Sequence, residues 1–191
     1  MNEWSRLVRT VEPAAPVISL AEAKRHLRVL HDDDDEDIAE LVEVATAVIE
    51  GPSGIGVALT PQTWRLSLDH FPCSIIVPLG PVTSITSIAY TDADGNSATV
   101  ASWRSDLDQQ PVRIWPARDA VWPSLVCEPG AVKVTFVCGY TQAPSDLKAA
   151  LKLLVGHFYE NREAVTTDIK AVDLPMGVAA ILDRYRVGRF A

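Results

Sequence analysis

Cysteine is scarce in this sequence, with three residues in a chain of 191. Cys73, Cys127 and Cys138 are odd in number and fit no CxxC or Cys/His spacing of the kind that binds zinc. The sequence therefore predicts neither a disulfide framework nor a metal site built on thiols. We expect buried, unreactive thiols, because a free cysteine usually behaves as a small apolar residue, in a protein kept in a reducing compartment.

Long apolar runs and an excess of positive charge are also missing. No window approaches the roughly 18 apolar residues of a membrane-spanning helix, and the segment MNEWSRLVRTVEPAAP lacks the apolar core of a signal peptide. The net charge of −8 argues against broad binding to nucleic acid or to membrane surfaces, which requires an excess of lysine and arginine. We expect a protein of the cytoplasm with no membrane partner.

Motifs of enzyme chemistry are absent as well. The glycines of GPSGIGVAL follow a predicted helix rather than opening one, and no Gly-Lys-Ser/Thr is present, so the context of a phosphate-binding loop is missing. The four histidines show no HExxH or other paired spacing, and there is no GxSxG elbow. We expect no catalysis, no cofactor and no metal. An enzyme with an unrecognised site stays an alternative, because a Ser/His/Asp triad is defined by geometry rather than by spacing.

The clearest local signal that is present marks the start of a helix. Ser19 and Glu22 have the spacing of a capping box, in which the two side chains bind free backbone N–H groups at the helix start. This pattern predicts a short helix from about Leu20 to Arg28.

The acidic run HDDDDEDI, residues 31–38, introduces a second helix. Apolar residues recur after it at spacings of three and four, and the helix that they predict ends at Gly51-Pro52. Carboxylates in a first turn interact favourably with the helix dipole, and Asp33 or Asp34 is expected to cap free N–H groups. A calcium loop is the alternative, but its sixth position, which needs glycine, is Asp37 here. The run predicts an exposed acidic surface whose candidate residues are Asp33, Asp34, Asp35 and Glu36.

From residue 58 to residue 140 the apolar period changes to two, the period of half-buried strands. Six segments rich in β-branched and aromatic residues are predicted strands: QTWRLSLDHF, SIIVPL, SITSIAYTD, SATVASWR, PVRIWP and AVKVTFVCGY. Residues 92–96, DADGN, form a strong turn signal. We expect an antiparallel β unit, either a sandwich or a partly open barrel. Most of the five tryptophans fall in it, as core residues or, alternatively, as a stacking platform for single-stranded nucleic acid.

Helical patterns return after Tyr140. Ser145 is the expected cap of a helix that runs to about Glu163, and Pro175 suits the first turn of a last helix. The sequence therefore predicts an α+β fold, in which N- and C-terminal helices form a small bundle and an antiparallel β domain is inserted between them. The predicted divisions are 1–57 for the first helical part, 58–140 for the β domain and 141–191 for the second helical part.

One set of segments, taken in order, resembles a known family. The set consists of ISLAEAKRHLRV, DDDDEDIAELVEVATAVIE, LTPQTW, VPLGPVTSITSIAYTDADG, VTFVCGY and LKAALKLLVGHFYENRE. It is similar to the head-tail connector (adaptor) proteins of long-tailed phages and of gene transfer agent particles, in the subgroup with an inserted β domain. The resemblance extends from about Val17 to Arg186.

The resemblance implies a structural role in the virion. It implies a ring of identical subunits, commonly a dodecamer, that docks under the portal protein, extends the DNA channel without sequence-specific binding, and carries a stopper or tail terminator protein on its tail side. Assembly would take place in the host cytoplasm. In such connectors the C-terminal segment commonly engages the portal, and arginine and aromatic residues are enriched at interface hot spots. The portal-docking candidates are therefore Leu174, Pro175, Arg184, Tyr185, Arg186, Arg189 and Phe190.

A ring also gives the acidic run a use, since acidic or neutral walls attract DNA phosphates weakly. The run is expected to lie on an exposed surface of the ring, facing its lumen, a neighbouring subunit or solvent. Two other functions stay open. One is an oligonucleotide- or carbohydrate-binding module carried by the β domain, and the other is a neighbouring stopper protein of the neck.

Overall fold

The structure is a computed structural model that describes residues 6–161 and 176–187. The described part is an α+β fold of four helices and eight strands, and its strands form two open antiparallel sheets rather than a closed barrel. The helices are α1 (Leu20–Leu27), α2 (Asp35–Ile49), α3 (Ser145–Glu160) and α4 (Met176–Leu182).

The larger sheet has five strands in the order β1-β2-β8-β4-β5, and the smaller has three in the order β3-β7-β6. The first strand, at residues 7–11, has no counterpart in the predictions from the sequence. The strands are β1 (Leu7–Val11), β2 (Gln62–Leu68), β3 (Ile75–Val77), β4 (Val82–Thr91), β5 (Ser97–Thr99), β6 (Trp103–Asp106), β7 (Val112–Pro116) and β8 (Val132–Cys138).

The four helices share one apolar cluster. On α2 the buried residues are Ile38, Val42, Ala45 and Ile49, and their spacing of three and four places them on one side of the helix. Leu147, Leu151 and Leu154 of α3 and Val178 and Leu182 of α4 complete the same cluster.

A second apolar cluster lies in the β region. Along β2 the alternating residues Gln62, Trp64 and Leu66 are buried, and in the register with β8 Trp64 lies opposite Phe136 and Leu66 opposite Val134. Residues of the three-stranded sheet, including Ile75 and Ile114, belong to the same cluster. The two-residue period read from the sequence thus identifies the buried face of β2 in the five-stranded sheet.

The predicted turn at residues 92–96 connects β4 to β5. The Asp92 carboxylate accepts hydrogen bonds from the backbone N–H groups of Asp94 and Asn96, at 2.9 and 2.8 Å. Gly95 has a φ of +85°, which glycine adopts without a steric penalty. The segment SATVASWR, predicted as one strand, forms two short strands, β5 and β6, that belong to different sheets.

Of the three helix caps predicted from the sequence, one is formed in the structure. The capping box of Ser19 and Glu22 is confirmed, with both of its side chain–backbone hydrogen bonds present. The predicted cap of α2 is wrong, because Asp34 occupies the N-cap position without a capping hydrogen bond. The predicted cap at Ser145 is also wrong, since Pro144 precedes the helix and Ser145 is its first residue. The same helix ends at Glu160, three residues before the predicted end.

Candidate assembly surfaces

The last described segment, residues 183–187, leaves α4 and is held against the start of α3. The Tyr185 hydroxyl donates to the Asp146 carboxylate, whose two oxygens lie 2.7 and 2.9 Å away. The Arg184 guanidinium donates to the same carboxylate at 3.1 Å. We call these three residues the C-terminal clasp.

The hydrogen bond from Tyr185, with help from the Leu147 backbone N–H and the Arg184 charge, holds the pKa of Asp146 below its usual value. The same hydrogen bond raises the pKa of Tyr185. The carboxylate is thus ionised and the phenol protonated at neutral pH, which are the states that the clasp requires.

The segment reaches the place where the helical and β regions meet. The Val187 backbone N–H donates to the Ile55 carbonyl at 2.9 Å. A cavity of about 310 Å³ lies beside it, lined by residues 184–187, by Tyr140 and by the loops at Gly80-Pro81 and Gln110-Pro111. Residues 183–187 are therefore held by hydrogen bonds to the start of α3 and to the loop after α2, beside the loops of the β region.

The structure brings together three of the predicted portal-docking residues. Arg184 is 64% exposed and Arg186 is also exposed, so both guanidinium groups are accessible to a partner, whereas the Tyr185 hydroxyl is used inside the chain. The other candidates, Leu174, Pro175, Arg189 and Phe190, lie outside the described residues.

Three carboxylates of the acidic run bind side chains of neighbouring helices. The Asp34 carboxylate accepts a 2.5 Å hydrogen bond from the Tyr159 hydroxyl of α3. Asp32 and Asp35 both bind the ammonium group of Lys24 on α1, at 2.7 and 2.5 Å. These contacts fasten α2 to α1 and α3.

Lys24 and Asp32 each stabilise the charged form of the other. The two carboxylates raise the pKa of Lys24, with Asp32 contributing most, and Lys24 in turn lowers the pKa of Asp32. Among the four predicted surface residues, Asp33 is 94% exposed and Glu36 is exposed, so these two are accessible to a partner.

A groove that the sequence did not predict runs along the C-terminal half of α2. Its volume is about 690 Å³, and its walls are residues 12–16, the side of α2 from Val42 to Glu50, and Trp64. Arg9 of β1 crosses it, with its guanidinium carbon 5.8 Å from the centre of the Trp64 ring and its Nε 2.9 Å from Glu12.

A buried polar network lies at the end of this groove. The Glu50 carboxylate accepts hydrogen bonds from the Leu59 backbone N–H at 2.6 Å and from the Gln62 amide at 2.7 Å. The Gln62 carbonyl oxygen accepts from the Trp64 indole N–H at 2.9 Å and from Arg9 at 3.3 Å. The network joins the end of α2 to β2 and β1.

Burial raises the pKa of Glu50, although its hydrogen bonds and the charge of Arg9 oppose the shift. A signal for this network was present in the sequence. The two-residue period places Gln62 on the same buried face as Trp64, and a buried amide needs partners.

The cysteines, the possible metal ligands and the possible membrane helices were also considered in the sequence. The expectation of buried thiols is wrong for Cys73 and Cys127, which are exposed, and holds for Cys138, where burial and the nearby Glu50 charge raise the pKa to about 12. Across the described ranges, no group of three His, Cys, Asp or Glu side chains is arranged to hold a metal ion. None of the helices in the described part of the chain is long and apolar enough to cross a membrane.

Three of the four described tryptophans pack in the β region rather than forming an open stacking surface. Trp64 is buried, and Trp122 stacks on Phe71 with ring centres 4.8 Å apart and donates its indole N–H to the Pro72 carbonyl at 2.9 Å. Trp103 packs partly buried against the β cluster. Their rings serve the core of the β region.

A comparison with protein-family models matches residues 16–187 to one family, described as head completion protein. The chain belongs to the head completion protein family. Head completion proteins of this kind are structural proteins of a particle neck. The family match confirms the resemblance to the connector proteins of the neck. Among curated protein sequences there is no match.

Three solved structures are similar to this head completion protein over nearly its whole length. The neck of an empty gene transfer agent particle, computed with C6 symmetry, contains a chain that is 27% identical, with a TM-score of 0.78 and coverage of 97% of both chains. The virion of a native gene transfer agent gives 26% identity, a TM-score of 0.76 and the same coverage. The neck of a native particle, computed with C12 symmetry, gives 25% identity and a TM-score of 0.65, over 95% of this chain and 97% of the other. Family and structures together support a structural role between head and tail.

Proposed function

We propose that this head completion protein is a head-tail connector that forms a ring under the portal of a tailed phage or gene transfer agent particle. The ring extends the DNA channel and presents a platform to a stopper or tail terminator protein. DNA passes through the channel without sequence-specific binding, and the net charge of −8 gives the chain little general attraction for DNA phosphates. Catalysis plays no part in this function.

One observation carries the proposal: the whole chain, rather than one part of it, is similar to a chain in a particle neck, with 97% of both chains covered and a TM-score of 0.78. A likeness confined to the β region would have favoured a binding module on an unrelated fold. The related necks were computed with C6 and C12 symmetry, which is consistent with repeated copies around an axis.

The proposal assigns a task to each part of the chain. Segments 1–57 and 141–191 supply the helical bundle, segment 58–140 supplies an inserted β-sandwich, and β1 of the first segment adds a strand to its larger sheet. The segment from Leu174 to Phe190 docks on the portal, with Arg184 and Arg186 as its accessible charges. Asp33 and Glu36 lie on a surface related to the ring, either at its lumen or beside a neighbouring subunit.

The test is light scattering coupled to size exclusion, first on the purified chain and then on a mixture with its cognate portal protein. We expect a ring, or a monomer that co-elutes with the portal in many copies. Replacing Arg184 and Arg186 by alanine should weaken portal binding by about tenfold or more, which corresponds to the loss of at least ~1.4 kcal/mol. The matched control replaces Arg104 and Arg118, two exposed arginines of the β region.

A wild-type chain that ignores the portal would contradict the proposed position, and binding to a tail-side protein instead would identify a stopper. Equal loss of portal binding in the variant and in its control would contradict docking through the C-terminal segment.

A further inference from the structure

The outer side of α2 carries apolar residues that its own fold does not cover. Val44 is 43% exposed and Val48 is 40% exposed, one turn apart on the same helix. Glu40 and Glu43 flank them and are exposed. We call these four residues the α2 outer face. Valine is a weaker helix former than alanine or leucine, so two exposed valines at these positions give the isolated chain no local advantage.

A second uncovered surface of opposite charge lies on α1. Arg25 and Arg28 are exposed at the end of this helix, and Leu30, which follows it, is 96% exposed. We call these three residues the α1 outer face. Positive charge at a helix C-terminus interacts favourably with the helix dipole, but this effect gives no reason for an exposed leucine.

The two outer faces point in different directions. Arg25 lies two residues after the buried Ala23, and Glu40 lies two residues after the buried Ile38. At about 100° per residue, a step of two residues leads to the far side of a helix. Because Ala23 and Ile38 belong to one cluster between the helices, the sides opposite them face in different directions.

We propose that the α2 outer face of one copy docks on the α1 outer face of the next copy. Two different, complementary surfaces on one chain make a head-to-tail contact, which closes into a ring when the rotation between copies allows it. Apolar side chains fill the centre of this contact, and glutamates meet arginines at its rim. This inference rests on the ring proposed above and identifies the surfaces that build it.

The occupant is a second copy because the charges match within one chain. A surface that binds DNA would repel phosphates through Glu40 and Glu43. A two-fold self-contact of the α2 outer face would bring the same glutamates against each other. Pairing with Arg25 and Arg28 removes both objections.

A charge exchange tests the pairing. One variant carries Glu40→Lys and Glu43→Lys, and the other carries Arg25→Glu and Arg28→Glu. Sedimentation velocity on the full chain, up to about 1 mM, measures self-association. Each variant alone opposes like charges at every contact and should associate at least about tenfold more weakly than wild type. An equal mixture places lysine against glutamate at one contact and the native pair at the next, so association should return. Circular dichroism confirms that both variants fold.

Recovery in the mixture, together with weaker wild-type association at high salt, supports the proposal. Variants that associate like wild type would overturn it, as would a mixture that stays dissociated or a wild-type chain that remains monomeric at the highest concentration. Portal binding by wild type is measured separately. A chain that binds the portal in many copies but shows no charge-dependent association keeps its proposed function and loses this interface.

Discussion

At the scale of single residues, Glu50 is a carboxylate in a buried position, where its residue type is seldom found. A carboxylate that is 6% exposed loses most of its hydration, and its remaining partners are the Leu59 N–H, the Gln62 amide and, at 3.6 Å, the Arg9 guanidinium. These groups stabilise the ion without fully replacing water, and burial therefore raises the pKa of Glu50 above its usual value.

The raised pKa gives a prediction about pH. A carboxyl group whose pKa is higher in the folded chain than in the unfolded chain favours folding in its protonated form. Its penalty is absent below the unfolded pKa and develops as pH rises through the folded pKa. Compared with Glu50→Gln, wild type should therefore gain free energy of unfolding as pH falls from neutral through the raised pKa of Glu50. Urea unfolding of both chains across this range measures the difference.

Parallel curves for wild type and Glu50→Gln would contradict the raised pKa. Glu50→Ala serves as the comparison that removes the network. It leaves the Leu59 N–H and the Gln62 amide without their acceptor, and we expect it to lower the free energy of unfolding by about 1–3 kcal/mol at every pH, because each group stays buried and unpaired.

At the scale of elements, the C-terminal clasp attaches a short helix to a long one. Helix α4 has seven residues, too few to be stable alone in water, so it depends on its packing against α3 and on the contacts that follow it. Val178 and Leu182 supply the packing, and Tyr185 supplies the hydrogen bond to Asp146.

Tyr185→Phe should loosen α4 without unfolding the chain. The ring keeps its packing but loses the hydrogen bond, so backbone amides of Met176–Leu182 should exchange with solvent faster, while those of α2 stay protected. Native-state hydrogen exchange measures both. The lowered pKa of Asp146 places the loss of the clasp at acidic pH, as pH falls through that pKa, and wild type should then approach the variant.

The matched control for this variant is Arg186→Gln, which removes a surface ion pair between Arg186 and Asp183 within the same turn. Such a pair contributes little, and exchange in α4 should not change. Equal acceleration in both variants would show that the hydrogen bond to Asp146 is not what holds the helix.

At the scale of the whole molecule, the helical and β regions are tied together at several points. β1 comes from the N-terminal part of the chain and pairs with β2, so the five-stranded sheet contains strands from both sides of α1 and α2. The Gly80 N–H donates to the Gly56 carbonyl at 3.1 Å, and the Ala58 N–H donates to the Gly80 carbonyl at 2.7 Å, so the chain between α2 and β2 is fixed to the loop before β4. Together with Glu50, these contacts connect the two apolar clusters.

We expect the two regions to unfold in one transition. In a Trp4→Phe background, tryptophan fluorescence reports on residues 64, 103, 115 and 122, all in the β region, whereas circular dichroism at helical wavelengths reports on the helices. The two urea midpoints should coincide, as they do for one cooperative unit. Separate midpoints would show that the β region unfolds independently of the helices.

The sequence by itself determined the elements whose signals are local. The capping box at Ser19 and the turn at residues 92–96 are formed by side chains that bind backbone groups a few residues away, and both were predicted correctly. The apolar periods of α2 and β2 identified most of their buried residues, because each period follows from the geometry of a single element, although Val48 was assigned to the buried face of α2 and is exposed. The ordered segments carried the resemblance that the family match confirms.

Only the tertiary structure decided the contacts between distant residues. Asp34 precedes α2 and was expected to cap it, but its carboxylate instead accepts a hydrogen bond from the hydroxyl of Tyr159, which is distant in sequence. β1 has a weak pattern of its own and becomes a strand because β2 offers it an open edge. Lys24, Gln62 and Tyr185 likewise gain their roles from partners that folding brings near. A local pattern reports on hydrogen bonds within one element, whereas these contacts depend on how the elements pack, which no short stretch of sequence contains.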